Sequence, residues 1–361
     1  VGAIYSERCG IVNIGLEGMM VIGTWFGAWA GWFYGPWYGV LAGLLGGALF
    51  GLIHAVGTIT FQVDHIVSGV AINILAAGVA RFLSVVAYAD VPAGGATQSP
   101  RVDERIEKIS IPYLSGGKIN ESDTADVFGS LEALDLFFIS DLFGLLGGLT
   151  RNISYFSILA ILLVPVSVWI LWSTSFGLQL RSVGEYPVGS ESVGVNVYLM
   201  KYIGVTISGA FAGLAGAYLV IESAGIYREG QTGGRGFIGL AAMIFGNWKP
   251  LGTFLGSSLF GYADSLQLRS EESVHGLLIV IVCVLFIVGI RSFIKKNLRT
   301  AIFSFIFSGL FLFWFLNSST IPNEFVFFTP HITTLIVLSF ASQRLRMPKF
   351  IGKAYKKGEL N

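Results

Sequence analysis

Gly18 to Val63, GMMVIGTWFGAWAGWFYGPWYGVLAGLLGGALFGLIHAVGTITFQV, contains no Asp, Glu, Lys or Arg. A charge-free stretch of this length holds two membrane-crossing helices of about 20 residues each. Pro36 marks the boundary between them. The same reading outward predicts helices over 11–34, 37–59, 66–88, 153–173, 199–222, 251–267, 275–291, 300–317 and 325–343. Pro250 and Pro330 punctuate two further boundaries. The whole chain agrees: it is 53% hydrophobic, 12% charged and has a mean hydropathy of +0.71. Soluble domains carry about 25% charged residues. The expected fold is all-α and polytopic, one membrane domain over residues 1–361 with about 10 transmembrane segments.

Charge distribution orients the segments. Arg291 to Arg299 holds four basic residues and no acid; Gln343 to Asn361 holds six basic residues and one acid. Residues 90–151 hold ten acids and five bases, a balance of −5. Basic flanks face the cytoplasm, so the 344–361 tail is expected inside. Alternating backwards then puts the 174–198 loop inside and the 90–151 loop outside. That outer loop has two amphipathic stretches, Arg101–Ile111 and Leu131–Leu146, suited to receiving a solute-binding protein or to lying on the membrane surface. Val1–Ser6 reads as the end of a segment, which predicts a span upstream.

The segment 236–248 has about 12 apolar residues, too few to cross a core about 30 Å thick at 1.5 Å per residue. It is expected to be a half-helix or a broken span, which is tolerated where protein or a water-filled cavity surrounds it. An internal echo accompanies it. Ile14-Gly15-Leu16-Glu17-Gly18-Met19 resembles Ile238-Gly239-Leu240-Ala241-Ala242-Met243, and Leu45–Gly51 resembles Leu255–Gly261. With opposite orientations these form a candidate inverted repeat. Glycines such as Gly43, Gly46, Gly47, Gly209 and Gly213 read as close-packing positions between helices.

No phosphate loop of the type G-x-x-x-x-G-K-[ST] occurs, so ATP chemistry, if used, belongs to another subunit. His54, His65, His275 and His331 stand singly without metal spacing, and no metal site, catalytic triad or nucleic-acid pattern emerges. Cys9 and Cys283 read as small residues in apolar surroundings; a disulfide framework is excluded by their number.

The stretch Thr174 to Asn196, TSFGLQLRSVGEYPVGSESVGVN, is a charged, Gly/Pro-punctuated loop between the apolar spans Tyr155–Trp172 and Tyr202–Ile221. It runs from Arg181 through a turn, Gly184-Glu185-Tyr186-Pro187, into a short amphipathic stretch. A short surface helix of that kind docks into a partner's groove. It resembles the cytoplasmic coupling segment of permeases in the branched-chain amino acid, simple sugar and nucleoside group of ATP-binding-cassette (ABC) importers. Glu7–Gly18, Val67–Asn73, Ser208–Ala217, Gly234–Ala242 and Pro348–Glu359 are similar, in order, to the nucleoside-type branch. Residues 100–150 match poorly, and 275–325 look like an added apolar hairpin.

The resemblance implies a permease subunit in a prokaryotic plasma membrane, working with a cassette ATPase, a second homologous permease and an extracytoplasmic solute-binding lipoprotein. It implies nucleoside cargo, purine first, then simple sugars, and no cofactor in this chain. Gly184, Glu185, Pro187, Glu191 and Gly194 match the coupling motif residue by residue, and Arg181 precedes them; Ser190 and Ser192 replace the usual alanines. Asn13, Glu17, Asn73, Glu222, Arg235 and Asn247 form the candidate translocation pathway. Two readings fit Glu17, the only formal charge between Asn13 and Val63: a pathway or gate residue, or a packing or capping carboxylate in a broken helix. Asn13 and Asn73 either present amides to a nucleobase or ribose or tie helices together. Arg235 and Glu222 flank the outer mouth of the short segment, as gate or as loop salt bridge. A rival class, an ion-coupled secondary transporter, would use Glu17 as its proton or sodium site.

Overall fold

Gly35 and Pro36 end one helix and begin the next. Gly35 sits at φ +97°, a conformation that favours glycine, and Pro36 occupies the first helical turn, where its missing N–H costs nothing. The computed structural model describes residues 1–119, 122–134, 139–266, 275, 277–318, 322 and 345–358. The chain divides into two compact units, Val1–Phe254 with Arg346–Asn361, and Leu255–Leu345.

In the first unit the helices are α1 (Gly2–Arg8), α2 (Leu16–Tyr34), α3 (Pro36–Ala55), α4 (His65–Tyr88), α5 (Val127–Glu132), α6 (Ile139–Gly148), α7 (Tyr155–Ser173), α8 (Ser175–Glu185), α9 (Pro187–Ser192), α10 (Val197–Tyr218) and α11 (Arg235–Phe245). The first turn of α12 (Pro250–Leu266) completes it. Two π-helical extensions, Val56–Thr60 and Leu219–Ala224, lengthen α3 and α10. Asp64 caps α4, its Oδ1 accepting from the Ile66 and Val67 amides at 2.9 and 3.1 Å. Asn196 caps α10 through the Leu199 amide at 3.0 Å. Such caps satisfy amides that lack a partner at every helix start.

Among the described residues, five helices are long and apolar enough to cross a membrane: Pro36–Thr60, His65–Tyr88, Tyr155–Ser173, Val197–Ala224 and Leu298–Asn317. The helix expected over 325–343, with Pro330 and His331, lies outside the described residues. Two expectations change. The helix expected from residue 11 begins at Leu16, because residues 9–15 turn back from α1. The halves of the echo also differ locally: Ile14 and Gly15 precede α2, whereas Ile238–Met243 lies inside α11.

The core of this unit is a seam of α2, α3 and α10. A methyl group at Gly23 would stand 2.3 Å from the Gly213 carbonyl oxygen; at Gly47, 2.3 Å from that of Gly209; at Gly213, 2.1 Å from that of Gly43. Backbone therefore meets backbone, as small residues allow. α4 joins through Trp25, whose Nε1 donates to Ser84 Oγ at 2.9 Å.

The 90–151 segment forms short antiparallel pairs, β1 (Lys108–Ile109) with β4 (Ile153–Ser154) and β2 (Lys118–Ile119) with β3 (Ser122–Asp123). Arg101–Glu107 is irregular and buries Val102 and Ile106. Its start is clipped to residues 225–229: the Val102 amide donates to Gly225 O at 2.8 Å and the Glu229 amide to Thr97 O at 2.8 Å.

The second unit contains the rest of α12, α13 (Leu277–Ile294) and α14 (Leu298–Asn317). α13 and α14 pack on one another. Phe286 and Phe305 meet edge-on at 5.6 Å, and Ser308 Oγ donates to Val282 O at 3.1 Å.

Candidate functional site

α11 has 11 residues, about 16 Å of helix against a membrane core of about 30 Å. Its first amides have no partner within the helix. Glu17, the second residue of α2, supplies one. Its Oε1 accepts from the Gly234 amide at 2.9 Å and its Oε2 from the Gly236 amide at 2.7 Å. A negative carboxylate also complements the positive end of the helix dipole. Glycine is required on both sides: Gly234 lies at φ +80°, and a methyl at Gly236 would stand 2.6 Å from the Glu17 backbone.

The chain preceding α2 is also broken beside the clasp. Asn13 Nδ2 donates to Ser208 Oγ, midway along α10, at 3.0 Å. Asn73 Oδ1 accepts from the Gly18 amide at 2.7 Å, and its Nδ2 donates to Ile14 O at 3.2 Å. Both asparagines tie helices, and Asn13 Oδ1 stays buried without a partner. Two histidines hold the same break. His54 Nε2 meets Val12 O at 3.1 Å, so its proton sits there and Nδ1 accepts from the Ser68 hydroxyl at 2.9 Å. The Val12 amide donates to His65 Nδ1 at 3.3 Å. Sequence reading treated these histidines singly; their positions at either end of one interhelical turn were the available signal. Cys9 opens the break, its buried thiol donating to Ser6 O at 2.9 Å.

A cavity of about 140 Å³ beside the clasp is lined by Leu16, Met20, Phe211, Ala215, Arg235 and Gly236, among others. Among the described residues, Arg235 is the only charged side chain on its wall. Arg235 and Glu222 are not brought together. Arg235 Nη1 donates to Gln231 O and Thr232 O at 3.4 Å. Glu222, in the extension of α10, pairs with Lys108 Nζ at 3.2 Å.

At its far end α11 stops at a strained turn. Asn247 and Trp248 both have φ +54°, rare for residues with a side chain. Four contacts hold it. Glu7 Oε2 accepts from Trp248 Nε1 at 2.5 Å. Arg8 Nε and Nη2 donate to Trp248 O at 3.2 and 3.0 Å. Asn247 Oδ1 accepts from the Arg346 amide at 2.7 Å.

Of the coupling candidates, Arg181, Gly184 and Glu185 lie on α8, Pro187 and Glu191 on α9, and Gly194 just beyond it. Here the sequence reading is corrected: Gly184 and Glu185 form the last turn of α8 and only Tyr186 breaks the helix. Gly184 is a glycine because it presses on the α1–α2 turn; a methyl there would stand 2.1 Å from Arg8 O. The Arg181 and Arg8 guanidinium groups both lie against the Trp172 ring, at 5.4 and 5.6 Å. Pro187 starts α9, and Gly194 ends the segment at φ +88°. Leu178, Glu185, Tyr186 and Val193 are exposed.

The tail crosses this end. The Phe350 amide donates to Gly184 O at 2.9 Å and the Gly352 amide to Gly10 O at 3.0 Å. The Lys349 amide reaches Glu185 Oε2 at 3.4 Å, and the Tyr355 hydroxyl bonds Glu191 Oε2. Burial first, and then the Glu191 carboxylate, raise the Tyr355 pKa above its ordinary value. Sequence reading missed these contacts; Phe350 and Tyr355, aromatic residues in a basic tail, were the signal.

Residues 1–289 match the family described as branched-chain amino acid transport system, permease component. The chain belongs to this family. It is 36% identical, over 99% of its length and 92% of the relative's, to the guanosine ABC transporter permease protein NupQ of Bacillus subtilis. It is 32% identical, over the same shares, to the nucleoside ABC transporter permease protein NupC of Lactococcus lactis. A third relative, the putative glucose ABC transporter permease protein TsgC13 of Haloferax volcanii, is 28% identical over 75% of this chain and 73% of its own. No solved structure matches the chain. The permease family and the apolar helices together make it a multi-pass membrane protein.

Proposed function

We propose that this chain is the membrane-spanning subunit of an ABC importer and that its cargo is a nucleoside, purine first. The observation that carries the reading is α11, a half-helix whose first amides are closed by Glu17 beside a cavity walled by Arg235. Broken helices of this kind build solute paths in transporters. Relatives named for guanosine and nucleosides, aligned over nearly the whole chain, support the substrate class.

In this reading Arg235 faces the path, and Asn13, Glu17 and Asn73 hold the helix breaks that shape it. Glu222 and Asn247 stand at its two ends. A second homologous permease encloses the path, and a solute-binding lipoprotein delivers the nucleoside from outside, above the 90–151 segment. The membrane is the prokaryotic plasma membrane, with the tail, α8 and α9 in the cytoplasm. A cassette ATPase hydrolyses ATP and docks on α8–α9, using Arg181, Gly184, Glu185, Pro187, Glu191 and Gly194. The rival ion-coupled class is weakened, because Glu17 is committed to two backbone amides.

The test is uptake of labelled guanosine, adenosine, ribose and leucine by vesicles carrying this chain with its partner subunits. Guanosine and adenosine are expected to enter, and entry to stop when the ATPase is left out. Preferential entry of ribose or leucine would overturn the substrate class. Uptake that survives without ATP and collapses with an ion gradient would overturn the ABC reading. Glu185→Arg and Gly184→Pro are each expected to abolish uptake; intact uptake in both removes the coupling role from α8–α9.

A further inference from the structure

The tail segment 346–357 bonds α8, α9, the α1–α2 break and the turn that ends α11. Its amides at Phe350 and Gly352 bond Gly184 O, at the end of α8, and Gly10 O, in the α1–α2 break. Its Arg346 amide bonds Asn247 in the turn that ends α11. Its Tyr355 hydroxyl bonds Glu191 on α9, and Lys357 Nζ lies 3.9 Å from the same carboxylate. A solvated tail would leave these backbone groups to water. Here alternate amides, those of Phe350 and Gly352, are spent on carbonyls of two different segments.

The segment is also anchored from beneath. Lys201, in the first turns of α10, is only 2% exposed. Its Nζ lies 5.5 Å from the Phe350 ring and 5.6 Å from the Tyr355 ring. A buried ammonium needs compensation, and two aromatic faces provide it. Lifting the tail would take both rings away from that charge, so the tail is held to the base of α10.

We infer that residues 346–357 form a strap that carries movement of α8–α9 to both helix breaks, with Phe350 and Tyr355 as its positioning residues. The inference rests on the reading that α8–α9 receive the ATPase. The strap runs beside a second described connection, Gly184 against Arg8, whose guanidinium holds the Trp248 carbonyl. Packed contacts of this kind pass displacement on rather than absorbing it. Loss of the strap therefore reduces transport per ATP instead of stopping hydrolysis.

The test uses the complete transporter in proteoliposomes, with ATP hydrolysis and guanosine uptake measured in the same preparation. For Tyr355→Ala and Phe350→Ala, assembly and hydrolysis are expected to persist while guanosine moved per ATP falls by about tenfold, within the range of coupling between sites. Tyr355→Phe keeps the ring over Lys201 and loses only the Glu191 bond, so a fall of about threefold is expected. Uptake and hydrolysis falling in parallel, or an unchanged ratio, would overturn the strap. If the alanine variants fail to assemble, the ratio in Tyr355→Phe decides alone. Glu185→Arg is measured alongside. Uptake retained there removes the α8–α9 reading and the strap with it; uptake lost there, with wild-type ratios in the tail variants, removes the strap only.

Discussion

The glycine seam of α2, α3 and α10 and the helix breaks at residues 9–18 and 234–248 sit in one unit and are built oppositely. The seam brings backbones together through Gly23, Gly43, Gly47, Gly209 and Gly213, with no polar side chain between them. The breaks are held by Glu7, Arg8, Asn13, Glu17, His54 and Asn73, four of the six bonding to backbone. Both obey the rule that backbone groups in lipid must be satisfied internally. The seam does so with unbroken helix; the breaks do so with borrowed side chains. The difference locates cheap motion. Parting the seam forfeits many close contacts at once, whereas a break moves by exchanging a few hydrogen bonds.

The strongest attack on that contrast is Gly213→Val. Three methyl-sized carbons would enter a space where one already overlaps a carbonyl, and overpacking of this severity costs about 3 kcal/mol or more. Loss of the folded permease from membranes, read by fluorescence-detected chromatography, is the expected outcome. A stable, active Gly213→Val protein would mean that the seam is not the rigid part.

Glu17→Gln is next. The amide keeps the shape, loses the charge and can accept at only one of its two ends, so one α11 amide is orphaned at a cost of about 2 kcal/mol. The protein should still assemble, with uptake reduced by roughly tenfold, since 1.4 kcal/mol is a factor of ten. Wild-type uptake would show that the clasp on α11 is dispensable. Asn73→Ala has the smallest expected effect of the three. It strands the Gly18 amide and the Ile14 carbonyl, a loss of about 1–2 kcal/mol expected as a few degrees in melting temperature, with uptake reduced less than by Glu17→Gln.

Spans were legible wherever charge was absent for long enough, as between Gly18 and Val63. The half-helix was legible too, because length alone forbids 236–248 from crossing. The partner of Glu17 was not: Gly234 lies 217 residues later and contributes a backbone amide, which has no side-chain signature. The stretch that holds α8 looks like a loop because it is charged and punctuated by Gly and Pro, Gly177 and Gly184 among them. These glycines answer instead to close approach, Gly177 to the Ile170 carbonyl and Gly184 to that of Arg8. The clip between residues 97–102 and 225–229 likewise uses mostly backbone, so no composition rule marks it. Which groups Asn13 and Asn73 bond is set by tertiary contact, and the sequence does not carry it.

Cys9 turns the α1–α2 break into its own reporter. Its sulfur is covered by Gly204 of α10 and by the turn it opens. A thiol reagent reaches it only in moments when that turn lifts away, because a buried thiol is inert and local opening precedes attack. With the exposed Cys283 changed to serine, the rate at which the remaining sulfur is alkylated becomes a stopwatch for the transport cycle. Under ATP turnover the stopwatch should run faster than at rest, and it needs no label beyond an atom the protein already carries.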